Sequence, residues 1–438
     1  MSSDENLWPQ SELGKEAFNA SRPFPFQLHS EVVFVNTGDV FQGKFLHSDI
    51  SPSTGLPGQA KKAIKPDDIL LTEIRPGNGR YAYVDFDAAK YVVSTKFMVI
   101  ESHGRIKSKF LYYVLTNQVA LDEFQRIAES RSGTFPQITF DSIEHFPVPV
   151  PPFEVQDEVI AFLDAIDCRI ALLRDTNITL EEIAHTLFKS WFVDFEPVRA
   201  KMEGRNPEGI DQNTAALFPN RLVTSSTGAA PEGWQDMNVE SLCSKVTRGQ
   251  TPIYGVGSGI YIINQKVNRG TSLDMTALKE LSPDLNVSKE KMAQKWDVLI
   301  NCLGEGTLGR IHLYKGESLK YAVDQHMSIC RGSPALATYL YQVFSSPAGQ
   351  ERIDSMKTGS TGMTMLNVSK LREFTVLWPG QELANRYFEI VEGLYQKISN
   401  NDENMNALEQ TREALIPRLI SGRLKFSGID SVKKMAVA

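Results

Sequence analysis

A chain of 438 residues with 42% hydrophobic and 23% charged side chains is long enough for two buried cores and is composed like a globular protein, not a disordered or fibrous one. No apolar run approaches the roughly 20 residues that span a bilayer, and the opening MSSDENLWPQ lacks the basic start and apolar core of an export signal, so a cytoplasmic protein without membrane association is expected. The net charge of −7 argues against a uniformly basic nucleic-acid binder, yet residues 153–196 hold ten acidic against three basic side chains and the remainder is balanced, which leaves room for local basic faces.

In chain order, residues 1–152 read as a strand-rich domain, 153–196 as a long helix and 197–233 as a Gly-, Pro- and Ser-rich linker. Residues 234–379 read as a second strand-rich domain, 380–423 as a second long helix and 424–438 as a tail. The order is a repeat. DDILLTEIRPGNGRYAYVDF (67–86) and WDVLINCLGEGTLGRIHLYK (296–315) share Asp, aliphatic, Leu, aliphatic, a glycine turn, Gly-Arg and an alternating strand. KYVVSTKFMVI (90–100) answers KYAVDQHMSIC (320–330), and RSGTFPQITFDSIEHFPVPVPP (131–152) answers KTGSTGMTMLNVSKLREFTVLWP (357–379). Each copy ends in prolines that stop a strand and open a helix.

Both helices carry a heptad seam, narrower than the stripe of a helix lying on a globular core. In the first the seam runs Leu163, Ile166, Ile170, Leu173, Asn177, Leu180 and Leu187; in the second it runs Val391, Leu394, Ile398, Asn401, Met405, Leu408 and Leu415, with Arg412 as a further polar member. Two such seams in one chain most simply bury each other. The expected fold is therefore α+β: two similar strand-rich domains, each followed by a long helix, with the helices forming an antiparallel coiled coil in a pseudo-two-fold arrangement. One antiparallel register sets Asn177 against Asn401, Ala184 against Leu394, and Arg412 against Ile166, where the arginine would have to reach outward to solvent.

The catalytic signals fail one by one. LGEGTLGR has GxGxxG spacing, but RIHLYKG follows it and alternates like a strand, so a hairpin turn fits and a dinucleotide site does not. There is no GxxxxGK[ST] phosphate loop and no Asn-Pro-Pro-aromatic methyltransferase motif; the seven histidines show no HExxH pairing, and Asp67, Asp68 and Glu73 read as a solvated turn. Cys168, Cys243, Cys302 and Cys330 have no metal or redox spacing and read as reduced and mostly buried. No catalytic residue, metal site or resident cofactor is expected.

What recurs is a set of long polar side chains beside glycines in loops: Arg75, Asn78, Arg80, Lys96, Arg131, Thr134 and Gln137 in the first copy, and Arg248, Gln250, Lys266, Asn268, Arg310, Gln325, His326, Lys357 and Thr361 in the second. Arg, Lys, Asn and Gln read base edges, while Thr and glycine-turn amides hold phosphates. Any one of these is ordinarily a solvated surface residue; the recurrence at matching places raises the set above its members.

The stretches FPVPVPPFEVQDEVIAFLDAIDCRI, LFKSWFVDFEPVRAKMEG and EALIPRLISGRL resemble the repeated regions of the DNA-specificity (S) subunits of type I restriction-modification systems. LTEIRPGNGRYAYVDFDAAKYVVSTKFMVI and TRGQTPIYGVGSG resemble the target-recognition domains of that family. The resemblance implies a non-catalytic reader of a split site in double-stranded DNA, with one target-recognition domain per half-site and the helix pair as spacer. It implies two modification subunits, which bring S-adenosylmethionine, and restriction subunits, which bring ATP and Mg. It also implies that Trp191, Phe192 and Phe195 are candidates to anchor a modification subunit, local packing being the competing reading. The alternative for the whole chain is a pseudo-symmetric scaffold or adaptor without DNA contact.

Overall fold

The computed structural model describes residues 8–131, 134–225, 228–304, 306–359 and 364–424. They fall into two compact units, unit 1 of residues 1–171 with 407–438 and unit 2 of residues 172–406.

In unit 1 the principal strands are β1 (Ala17–Asn19), β2 (Glu31–Val35), β3 (Ala60–Ala63), β4 (Ile69–Thr72), β5 (Tyr81–Tyr83), β6 (Tyr91–Ser94) and β7 (Phe97–Ser102). One antiparallel sheet has the order β1-β7-β4-β5, and in a second sheet β6 lies parallel to β2 and antiparallel to β3. The helices α1 (Ser108–Thr116) and α2 (Gln118–Arg131) follow, then the 40-residue α3 (Phe153–Phe192). β4 reads Ile-Leu-Leu-Thr with every residue buried because both its faces are covered. Ile69 and Leu71 pack with Phe110, Leu111 and Phe124 of the helices, while Leu70 points the other way, to Val33, Val35 and Val93 of the second sheet.

Unit 2 repeats this plan with β8 (Lys245–Arg248), β9 (Tyr261–Ile263), β10 (Val298–Asn301), β11 (Ile311–Leu313), β12 (Tyr321–Val323) and β13 (Met327–Arg331). Its antiparallel sheet has the order β8-β13-β10-β11, and β12 lies parallel to β9. After α4 (Pro334–Ser345) and α5 (Pro347–Ser355) comes α6 (Gln381–Ile420), also 40 residues long. The alternation within β10 matches that of β4: Val298 and Ile300 join the core that holds α4, and Leu299 faces Ile263 and Val323. The sequence repeat is thus a repeat of strand order and direction.

The 197–233 segment, read as a linker, is built into unit 2. It holds a helix at Glu196–Met202 and a short hairpin of Leu222–Ser225 with Gly228–Pro231, and Val198 and Phe218 are core residues. The aromatic cluster ending α3 is also interior. Trp191 stacks edge-on against Phe218, and Phe192 and Phe195 both pack on Trp234; the three are 2%, 5% and 9% exposed. The idea that they anchor a modification subunit is overturned, because their own unit already covers them. Cys168 is exposed and Cys243 half-buried, so only Cys302 and Cys330 meet the expectation of burial.

The seam residues Leu163, Ile166, Ile170, Leu173, Val391 and Ile398 are buried, and Leu180, Leu187, Leu394, Met405, Leu408 and Leu415 are half-buried. Within unit 2, the wholly buried Asn401 donates from Nδ2 to Asn177 Oδ1 at 2.8 Å, and Tyr387 donates to the Ala184 carbonyl at 3.1 Å. Asn177 in turn donates to Asp402 Oδ1 at 2.9 Å. Burial pushes the Asp402 carboxyl up to about 6 against the opposing pull of Lys315. Lys315 Nζ, itself buried, stands 4.0 Å from Glu181 Oε1, and Tyr341 donates to Glu181 Oε2 at 3.3 Å. Within unit 1, Val159 and Leu163 share a core with Ile416, Leu419 and Ile420. There Arg412 does not escape to solvent as the register argument required; it pairs with Asp167 Oδ1 at 2.6 Å and with Glu413 at 3.0 Å. No described helix is long and apolar enough to cross a membrane.

Candidate nucleic-acid interface

In unit 1 four of the candidates, Arg75, Asn78, Lys96 and Gln137, gather at the turn that follows β4. Ile74 bridges to Gln137, the Arg75 N–H donates to the Pro136 carbonyl at 3.1 Å, and Pro76–Asn78 forms a 3-10 turn closed by the Asn78 N–H on the Arg75 carbonyl at 2.9 Å. Gly77 N–H donates to Gln125 Oε1 at 3.1 Å, so this loop is tied to α2. Glu73, which was not among the candidates, organises two of them: Gln137 donates to it at 3.0 Å and Lys96 stands 3.9 Å away. Arg80 is committed to the fold, giving Nη1 to the carbonyls of Gly38 and Val40 at 2.9 Å each while lying over the Phe41 ring. Arg131 reaches Thr139 Oγ1 at 3.4 Å. Arg75, Asn78 and Thr134 are exposed.

Unit 2 builds two polar groups. In the first, Gln250 bridges to Asp324, Thr251 donates to Gln325 Oε1 at 2.8 Å, and His326 Nδ1 lies 2.9 Å from Asp324 Oδ1. Arg248 reaches the Leu366 carbonyl at 3.2 Å. The second surrounds Asn301, the last residue of β10. Asn268 is wholly buried, donating to Asn301 Oδ1 at 2.9 Å and to the Arg310 carbonyl at 3.2 Å, while Arg310 donates back to the Asn268 carbonyl at 2.9 Å. Asn268 therefore supports the loop from inside and presents nothing to a ligand, which removes it from the candidates at the surface. Lys266 is exposed beside this group. Lys357 lies elsewhere, in an ion pair with Asp354, and Thr361 falls outside the described residues.

The glycine turn of unit 2 joins β10 to the antiparallel β11, so LGEGTLGR is a hairpin connection with left-handed glycines at 304, 306 and 309. His312 is buried, its Nδ1 lies 2.6 Å from the Gly270 carbonyl, and burial drives its pKa down to about 3, so it is a neutral N–H donor. Among the described residues no cluster of three or more His, Cys, Asp or Glu is placed to hold a metal ion.

The residues that sequence reasoning missed are the organisers, Glu73, Thr251, Asn301 and Asp324. Two of them carried a signal: Glu73 and Asn301 each sit within a residue of the end of a repeated core strand. The TPIYGVGSG loop is apolar at its surface: Ile253, Tyr254 and Val256 are all exposed.

The chain is similar to known proteins along most of its length. The family model for the type I restriction modification DNA specificity domain matches residues 16–182. The type I restriction enzyme HindI specificity subunit of Haemophilus influenzae is 34% identical, over 95% of this chain and 99% of that one. The MjaIX specificity subunit of Methanocaldococcus jannaschii is 24% identical over 82% and 77%. Two solved structures are also similar: the type I restriction-modification S subunit of M. genitalium, 12% identical with a TM-score of 0.45, and the HsdS subunit of Thermoanaerobacter tengcongensis, 18% identical with a TM-score of 0.39, each covering 95% of this chain and 97% of the other. On the full-length sequence relationship, the chain belongs to the family of type I restriction enzyme specificity subunits, the non-catalytic target-recognition component of such systems.

Proposed function

We propose that this chain reads a bipartite DNA target, one half-site with the loops of unit 1 and the other with those of unit 2, and that α3 and α6 pair as an antiparallel coiled coil that sets the spacing between them. The observation that carries the reading is the repeat itself: the same strand order, followed by a glycine-containing turn bridged at the equivalent residue, occurs once in each unit. Two similar readers on one chain match a target with two halves, and half-sites on one face of DNA must be held a fixed number of helical turns apart, about 34 Å per turn. Forty helical residues extend about 60 Å, and a stiff helix pair fixes a distance that a flexible linker would not. The Asn177 and Tyr387 contacts support the antiparallel direction, since within unit 2 they descend along α6 as they climb along α3. The exposed face of the acidic α3 suits protein partners better than phosphate. In this reading the helices dock two modification subunits, with restriction subunits joining the same complex, in the cytoplasm. S-adenosylmethionine, ATP and Mg belong to those partners.

The test is to map methylated adenines in DNA from cells expressing this chain with its modification subunits. A single split motif is expected, and a scaffold without DNA contact would leave no sequence preference. Inserting a matched heptad in both helices should lengthen the recognised spacer; an unchanged spacer would refute the ruler.

A further inference from the structure

The two glycine turns occupy the same place in the repeat, and they differ in residue type at a position that is left-handed in both. Ile74 bridges to Gln137 and Leu303 bridges to Met365, each two residues past the end of its core strand, which makes them equivalent. The next residue is left-handed in both units, but it is Gly304 in unit 2, with φ of 102°, and Arg75 in unit 1, with φ of 45°. Glycine adopts this conformation freely, whereas a residue with a Cβ is disfavoured in it. At Gly304 a Cβ would also stand 2.7 Å from both Gln265 Oε1 and Thr307 Oγ1, so a side chain there would have to displace them in addition to bearing the left-handed strain. Unit 1 keeps an arginine at the strained position and points it outward.

That arginine is held by its main chain alone. Its N–H is fixed on Pro136, its carbonyl on the Asn78 N–H, and the following Pro76 stiffens the turn. Arg80, Arg131, Arg248 and Arg310 each give a guanidinium donor to their own unit. Of the five arginines in the two loop sets, Arg75 alone has no such contact among the described residues, and it is exposed. Backbone strain that is kept under a side chain with no partner in its own fold points to a partner outside it.

We propose that Arg75 is a base-reading residue for the half-site taken by unit 1, its guanidinium addressing O6 and N7 of a guanine in the major groove. Unit 2 cannot make the same contact from position 304, so the two halves are read by different residues although their scaffolds match. This rests on the DNA-reading function proposed above.

The test uses the chain in complex with its modification subunits. Once the wild-type motif is mapped, Arg75→Gly and Arg75→Lys are compared for methylation pattern, for binding to duplexes substituted at each position and at two salt concentrations, and for melting temperature. Arg75→Gly is expected to melt at or above the wild-type temperature, since it relieves the left-handed strain. It should also lose roughly tenfold to hundredfold discrimination at one G·C pair of one half-site, leaving the other half unchanged. Arg75→Lys should not restore that discrimination, because an ammonium lacks the bidentate fork. Uniform weakening across all sequences that lysine restores would make Arg75 a phosphate contact and overturn the proposal, as would an Arg75→Gly complex with an unaltered pattern. If the wild-type complex methylates no split motif, the DNA-reading function fails first, and this inference falls with it.

Discussion

Units 1 and 2 open their central strands on the same buried acid and pair it with different arginines. Asp68 precedes β4 and Asp297 precedes β10, and both carboxylates are buried. Asp68 accepts the Lys65 N–H and Asp297 the Gln294 N–H, each at 2.8 Å. In both, burial raises the carboxyl pKa while the arginine and the amide pull it down. Asp68 is paired with Arg22, from the segment before β2, which also contacts Glu101 and whose side chain is 30% exposed. Asp297 is paired with Arg331, at the end of β13, which grips it through two donors at 2.8 and 2.7 Å, caps the Met292 carbonyl and is only 14% exposed. The fold fixes the acid at the strand entry and leaves the source of its counter-charge open, so the acid repeats in the sequence and the arginine does not.

The contrast is broken most strongly from the arginine side. Arg331→Ala strands a buried carboxylate with only one amide, and is expected to destabilise unit 2 by about 3–5 kcal/mol. Arg22→Ala should cost unit 1 clearly less, because water can reach the vacated place. Amide hydrogen exchange read separately over β4 and β10 measures each effect without assuming that the two units unfold together. Equal losses in the two strands would mean that exposure of the arginine does not govern the pair.

The helix seams offer the same kind of contrast. In unit 1 the polar interruption is an ion pair, Asp167 with Arg412; in unit 2 it is the Asn177, Asn401 and Asp402 group, whose acid is held by an amide. Asp402 has a folded pKa of about 6, above its ordinary 3.8. The folded state therefore keeps a proton that the unfolded chain releases between those values. The contribution of Asp402 is most favourable below about pH 4 and is lost as pH rises through 6, about 3 kcal/mol if the whole shift is expressed. Asp402→Asn keeps an acceptor for Asn177 and removes the titration. Its denaturation midpoint should exceed that of the wild type at pH 7 and converge with it near pH 4; a constant offset across that range would show that Asp402 is not the titrating group.

A smaller effect separates the two asparagines. From the seam alone, replacing both by leucine is expected to stabilise the pair. The structure changes that expectation, because Asn177 is the donor to Asp402, whereas Asn401 leaves its own Oδ1 without a hydrogen-bond partner among the described residues. Asn177→Leu should cost about 1–3 kcal/mol by stranding the carboxylate and the Asn401 amide, and adding Asn401→Leu should recover only part of it. A double variant more stable than the wild type would show that the carboxylate does not depend on Asn177.

What the sequence made legible follows from periodicity. The two 40-residue helices, the repeated strands and the hairpin nature of LGEGTLGR were all readable, because apolar spacing and glycines report local geometry directly. The organisers Glu73 and Asp324 were not, since an acid beside a turn looks solvated until its partners, far away in sequence, are placed. Nor was the burial of Asn268, whose ordinary loop composition hides that Asn301 and Arg310 enclose it. The aromatic cluster at Trp191 read equally well as surface or core, because the segment that covers it looked like a linker.

The smallest predicted effect returns to the turns and should differ in sign between the units. Gly306 in unit 2 is left-handed at φ of 74° with open space where a Cβ would go, so Gly306→Ala meets only the conformational penalty, about 1 kcal/mol. Gly77, its counterpart in unit 1, sits inside the 3-10 turn after Pro76 and is not left-handed; an added Cβ there meets the Gln125 side chain at an ordinary 3.4 Å. The Gly77 N–H bond to Gln125 is untouched by a methyl group. Gly77→Ala should therefore stabilise unit 1 by roughly 0.4–1 kcal/mol, by restricting the unfolded chain without straining the folded one. Local hydrogen exchange in each turn reads both changes. A loss at both positions would mean that the unit 1 turn also needs glycine freedom, and the structural difference that leaves Arg75 at its strained position would then be smaller than the backbone angles indicate.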